Sequence, residues 1–100
     1  MSTNTGVIGG YSSNNITLAA PTTTVVKTGA GILHTITFNK PTATGVVTVY
    51  DNTAASGTVI ATITVPASPQ PVTLHYDAVF TTGLTVVTAT AAQDITVTYV

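Results

Sequence analysis

From residue 22 onward, apolar residues alternate with threonine and other polar residues in short runs. Alternation with a period of two, in runs rich in β-branched residues, predicts half-buried β-strands rather than helices. Glycine, proline and small polar residues separate the runs and predict turns. The sequence therefore predicts strands at 22–28, 32–39, 45–51, 58–65, 72–76, 84–89 and 94–100.

About seven strands with closely spaced turns and no helical segment predict an all-β protein, namely an antiparallel β-sandwich. Jelly-roll-like and immunoglobulin-like topologies both fit this pattern. The segment 66–71 contains Pro66, Pro69 and Pro71. A tight hairpin would not need so rigid a connector, so we expect this segment to cross from one sheet to the other.

Side chains repeat every two residues along a strand, which assigns faces to the predicted strands. In the strand 32–39 the more apolar face is assigned to the core, and it carries Ile32, His34, Ile36 and Phe38. The strand 45–51 is fairly apolar on both faces, which fits a central strand or one covered by a neighbouring subunit. His75 and Asp77 fall on one face near the end of the strand 72–76.

Residues 1–21 are rich in Gly, Ser, Asn and Thr and show no sustained period. Such a segment buries too little surface to offset its ordering entropy alone. We expect an extended N-terminal arm at 1–21 that lies on a partner, followed by the sandwich domain at 22–100; an unanchored terminus is the alternative. The arm residues predicted to contact a partner are Val7, Ile8, Tyr11, Ile16 and Leu18.

Charge is scarce, at 5% of residues against about 25% in ordinary soluble domains. The net charge is −1, whereas β-branched residues make up 45 of the 100 positions. Weak self-repulsion favours association, and uncharged strand edges invite pairing with other chains. We therefore expect the chain to work inside an assembly, with its edges or faces covered by other copies or by the arm. Threonine hydroxyls that replace charges as solvating groups are a compatible explanation.

Few residues are available for catalysis or for binding a metal ion. His75 and Asp77 are interpreted as a solvated polar pair, since no nucleophile motif accompanies them. A metal site at His34 and His75, or a calcium site in the loop at 51–53, has too few ligands of the right type. The sequence thus predicts no enzyme, no cofactor and no metal site.

The composition also excludes some classes of binding partner. Two lysines and no arginine lack the basic footprint of a nucleic-acid-binding protein, and no run is long and apolar enough for a transmembrane helix. His34 is expected in the core or at a subunit interface, where its protonation would loosen an assembly in mild acid. Exposed tyrosines offer stacking platforms for carbohydrate as an alternative.

Four pieces of the chain carry a resemblance to a known family. They are AGILH at 30–34, VTVYDNTAASGTVI at 47–60, FTTGLTV at 80–86 and DITVTY at 94–99. As a set they resemble small structural virion proteins of tailed bacteriophages. The resemblance implies a capsid decoration (cement) protein or a piece of a head or tail fibre, and it supplies no catalytic residue.

The scarce charge and this resemblance together predict a structural virion protein, and the resemblance implies that it binds the major capsid protein on the outer surface of the shell. The resemblance implies self-association, with a homotrimer favoured, and a location in the virion after assembly in the host cytoplasm. A fibre or decoration module that binds cell-surface carbohydrate is the alternative. The predicted partner-binding residues are the five arm residues above together with His34.

Overall fold

The computed structural model describes residues 10–100, which form eight strands and no helix. The predicted contacts Val7 and Ile8 lie outside the described residues. The strands are β1 (Ser12–Ile16), β2 (Thr22–Thr28), β3 (Gly31–Lys40), β4 (Val46–Asp51), β5 (Thr58–Thr64), β6 (Val72–Phe80), β7 (Gly83–Ala89) and β8 (Asp94–Tyr99).

The eight strands make two four-stranded antiparallel sheets that pack face to face, which confirms the predicted β-sandwich. The first sheet has the order β1-β8-β3-β6 and the second has the order β2-β7-β4-β5. Each strand of the first half pairs with its mirror image in the second half: β1 with β8, β2 with β7, β3 with β6 and β4 with β5. A long hairpin rolled up in this way is a jelly roll, so the strand order selects this topology over the immunoglobulin-like one.

The eighth strand comes from the segment predicted to be an arm. Ser12–Ile16 pairs antiparallel with β8, so that Asn15 lies opposite Thr96 and Ile16 lies opposite Ile95. Ile16 is only 3% exposed and belongs to the core. The part of the arm that the structure describes therefore covers an edge of its own sandwich, and the sandwich begins ten residues earlier than the predicted boundary at 22.

The core lies between the inner faces of the two sheets, where the alternation of the sequence brings the apolar residues together. Burying each of these branched or aromatic side chains contributes about 1.5–3 kcal/mol before entropy is counted. The largest completely buried apolar side chains are Phe38, Phe80, Leu33, Ile36, Leu84, Ile95, Val47, Val49, Val86 and Val97.

The predicted core face of β3 is wrong in its first half. Leu33 is fully buried, whereas Ile32 is 40% exposed and His34 lies on the outer face. The cause is a β-bulge: Leu33 and Thr35 lie opposite the adjacent residues Tyr99 and Thr98, so His34 is an extra residue without a partner on β8. One extra residue reverses the alternation, which is why Ile36 and Phe38 point inward as predicted.

The proline-containing connector crosses between the sheets as predicted, because β5 belongs to the second sheet and β6 to the first. At the opposite end of the sandwich, the Asp51 carboxylate clamps the turn between β6 and β7. It accepts hydrogen bonds from the backbone N–H groups of Thr81 (3.0 Å to each oxygen) and Thr82 (2.9 Å). These donors, Thr82 first, hold the pKa of Asp51 below its ordinary value.

Ile16→Ala tests whether β1 is part of the folded domain. Removing a buried isoleucine side chain should lower the free energy of unfolding by about 2–5 kcal/mol. Leu18→Ala is the matched control, because Leu18 is 57% exposed two residues further along. Urea denaturation followed by circular dichroism measures both variants, and equal effects would contradict the placement of Ile16 in the core.

Asp51→Asn tests the clamp through its pH dependence. Because the folded pKa of Asp51 is below the unfolded one, the bonded carboxylate stabilises the fold above about pH 4, and this contribution is lost as the pH falls through the lowered value. The substitution should therefore lower Tm at pH 7, and the difference from the wild type should shrink below pH 4. Thermal unfolding between pH 7 and pH 2 measures this, and a constant difference would contradict it.

Candidate functional site

The outer face of the second sheet is a continuous surface of threonine, valine, alanine and tyrosine, which we call the Thr/Val face. The strand register arranges it in three rows. The rows are Thr23–Val87–Thr48–Thr62, Val25–Thr85–Tyr50–Val59 and Ala89–Val46–Thr64. These eleven residues include no charged side chain.

Part of the Thr/Val face is open to solvent. Val25 is 46% exposed on the edge strand β2, and Val59 is 49% exposed on the edge strand β5 at the other side of the sheet. Between them Tyr50 is half-buried, and Thr85 is fully buried, with its hydroxyl donating to the backbone oxygen of Asn52 (2.7 Å). The eleven residues are therefore uncharged, and each edge strand presents one exposed valine beside exposed threonine.

The outer face of the first sheet differs in chemistry. Near its β1 edge, the Asp94 carboxylate accepts hydrogen bonds from the amides of Asn15 (2.9 Å) and Asn39 (3.1 Å), and these two donors, Asn15 first, lower the pKa of Asp94. The same amides also donate to the Thr96 hydroxyl, at 3.3 and 3.0 Å. Asparagine and threonine side chains thus bond to one another across three strands, and this face is polar.

The β3 bulge creates a second feature on the polar face, which we call the histidine cluster: Tyr11, His34, His75 and Asp77. The Nδ1 atom of His34 lies 2.5 Å from Oδ1 of Asp77. The Tyr11 ring stacks on the His34 ring, with 4.0 Å between the ring centroids and 6° between the ring planes. The His75 ring meets His34 edge-on, with 6.0 Å between centroids.

The backbone positions this cluster through a second irregularity. On β6, two residues, Tyr76 and Asp77, lie between the partners of Leu33 and Thr35, and Asp77 has a positive φ of 48°. Aspartate tolerates this left-handed conformation better than most residues. The extra length turns the carboxylate toward the imidazole that bulges out of β3. The cluster therefore ties the residue before β1 to strands β3 and β6, beyond the intervening β8.

Of the four predicted partner-binding residues within 10–100, the structure brings two together, Tyr11 and His34. Ile16 is in the core, and Leu18 is exposed in the connection from β1 to β2. The predicted polar pair of His75 and Asp77 lies on one face as expected, but Asp77 pairs with His34. The alternation of the sequence could not reveal this contact, because it depends on bulges in two paired strands.

The sequence contains one signal for the Thr/Val face. The predicted strand 45–51 is apolar on both faces, and its outward residues Val46, Thr48 and Tyr50 form the middle of the surface. Among the tyrosines within 10–100, which are the candidate platforms for carbohydrate, Tyr11 is the one that is 50% exposed. One side of its ring rests on His34. Carbohydrate binding stays a prediction.

An apolar groove lies on the β5–β6 side of the sandwich, where the connector crosses between the sheets. Its volume is 360 Å³. Phe38 forms its base, and Val72, which is 47% exposed, stands at its rim. The other lining residues are Pro41, Ile63, Thr64, Val65, Pro66, Ser68, Pro69, Gln70 and Leu74.

Within 10–100, no three His, Cys, Asp or Glu side chains are grouped so that they could hold a metal ion. The same part of the chain holds no helix of the length and hydrophobicity needed to cross a membrane. No family model, no curated protein and no solved structure matches the chain.

Tyr11→Ala tests the histidine cluster as an anchor for β1. Loss of the aromatic stack should lower the free energy of unfolding by about 0.5–1.5 kcal/mol and speed hydrogen exchange of the β1 amides. Leu18→Ala again serves as the control, because it removes an exposed apolar side chain just after the other end of β1. Exchange rates measured by NMR that rise equally in both variants, or in neither, would contradict the anchor.

Proposed function

We propose that this chain is a structural protein of a virion, a decoration protein that docks by its Thr/Val face on the outer surface of a capsid shell. The partner is the major capsid protein, and copies of the chain associate with one another, as a trimer by the resemblance described above. The observation that carries the proposal is the contrast between the two outer faces of the sandwich.

The distribution of charge supports docking by one particular face. Asp77, Asp94 and both histidines lie on the outer face of the first sheet, whereas the eleven residues of the Thr/Val face carry no charge. Desolvating a charged group costs several kcal/mol unless it finds a partner, but desolvating a valine is favourable. The neutral face is therefore the one that can be buried at low cost.

The strand order agrees with this proposal without selecting it. Jelly rolls occur in viral capsid proteins and in lectins, and a fold supports many functions. A surface of branched aliphatic and threonine side chains on a rigid sheet suits a flat protein partner. Weak contacts repeated over many copies on one shell add up to firm attachment through their effective concentration.

A matched pair of substitutions tests the docking face. Thr48→Lys places a charge at the centre of the Thr/Val face, and Thr37→Lys places the same charge on the central strand β3 of the opposite face. An unpaired buried lysine should weaken attachment to capsid particles at least about tenfold, or about 1.4 kcal/mol, while Thr37→Lys should leave it unchanged.

Sedimentation of the purified chain with capsid particles measures attachment, and circular dichroism checks that both variants are folded. Equal attachment of the two folded variants would rule out the Thr/Val face as the contact. Failure of the wild-type chain to attach to capsids would rule out the decoration function itself.

A further inference from the structure

Within the described residues, β1 is less firmly joined to the sandwich than the other strands. β1 is an edge strand of five residues, bonded to β8 alone, and only one of its side chains, Ile16, is buried. Within residues 10–100 it is also the first strand, so removing it interrupts no connection between the other strands described. Each of the other edge strands, β2, β5 and β6, has a strand before it and a strand after it in the chain.

The connection from β1 to β2 is built like a hinge. Residues 17–21 lead from the first sheet to the second, and all of them except Ala20 are exposed. Straightening this segment would therefore remove no core contact. Sheets pack about 10 Å apart, and five extended residues span up to about 17 Å, so the segment is long enough to cross from the first sheet to the second.

The place that β1 occupies is specific and has to be filled. Ile16 covers Ile95 in the core, the Asn15 amide donates to Asp94 and to the backbone oxygen of Ile95 (3.0 Å), and Tyr11 stacks on His34. A second copy of the chain presents the same residues in the same order. Its β1 satisfies every one of these contacts, so exchange changes only the hinge and the freedom of the two molecules.

We propose that the segment Tyr11–Ile16 is exchanged between copies of this chain, so that β1 of one copy pairs with β8 of its neighbour. Exchange of an identical element is a low-cost route from monomer to oligomer. The net charge of −1 opposes the approach of two copies only weakly. The proposal concerns contacts between copies and is independent of attachment to a capsid.

Cysteine pairs distinguish exchange from simple association, because the chain has no cysteine of its own. Ser13 and Thr98 are direct partners across β1 and β8, and opposite residues of antiparallel strands lie within the Cα distance that a disulfide needs. The variant Ser13→Cys/Thr98→Cys therefore forms its disulfide within one chain if β1 pairs with β8 of its own chain, and between chains if β1 is exchanged.

The control variant is Thr37→Cys/Thr73→Cys, which joins direct partners on β3 and β6 of the same outer face. After oxidation over a range of protein concentrations, non-reducing electrophoresis separates covalent dimers from monomers. We expect covalent dimers to be at least tenfold more abundant in the Ser13/Thr98 variant than in the control, and to increase with concentration. Circular dichroism of the reduced proteins checks that both are folded.

A second variant lengthens the hinge by inserting Gly-Ser-Gly-Ser between Ala19 and Ala20 in the Ser13/Thr98 background. A longer hinge lets β1 return to its own sheet more freely, so the covalent dimer should decrease. The proposal would be overturned if electrophoresis after oxidation showed only monomers at protein concentrations at which light scattering detects oligomers. Equal dimer yields in the test and control pairs, or no disulfide in the test pair, would overturn it as well.

Discussion

The fold depends on pairing between distant halves of the chain. Each strand of the first half finds its partner in the second half, and the separation grows outward from β4 and β5, which are neighbours in sequence, to β1 and β8, which are 80 residues apart where Asn15 bonds to Ile95. The two inner faces form one core only when these pairs are in register. Because alternate residues face opposite sides, a slip of one residue in any pair would bring threonines into the core and valines to solvent.

Two of the departures from regular pairing place side chains where strict alternation would not. The extra residue at His34 moves an imidazole from the core to the outer face, and the extra residue on β6 brings Asp77 to meet it. Together they give the residue before β1 something to stack on. Bulges also twist an edge strand away from flat pairing, so β6 is a poor template for another chain.

The sequence predicts most of this architecture because the alternation of Val, Ile and Thr is a local property. β4 and β8 alternate without interruption, so the pattern alone puts Val47 with Val49, and Ile95 with Val97, on one face of each strand. Which face of β4 is buried does not follow from the pattern, because both of its faces are fairly apolar. The face of β3 could not be predicted, because the bulge depends on which residues of β8 lie opposite. β1 was missed for a similar reason: SSNNI has one apolar residue, and its burial depends on Ile95.

The chemistry of the two outer faces also depends partly on composition and partly on strand pairing. Scarce charge is visible in the composition, but only the register shows that the outer face of the second sheet has eleven uncharged residues, although Lys27 and Asp51 stand on its strands β2 and β4. The histidines and two aspartates lie on the outer face of the first sheet. Two-sidedness of this kind belongs to the fold, because the rows of the Thr/Val face join residues from β2, β4, β5 and β7.

The pairing of β1 with β8 has a consequence during synthesis. Ribosomes add about 5–20 residues per second, so the first strand waits roughly 4–16 s for the last one to emerge, given the 80 residues between Asn15 and Ile95. Throughout that interval the edge of the nascent sheet has no closing partner on its own chain. Until β8 has been made, the jelly roll of a nascent chain is therefore incomplete.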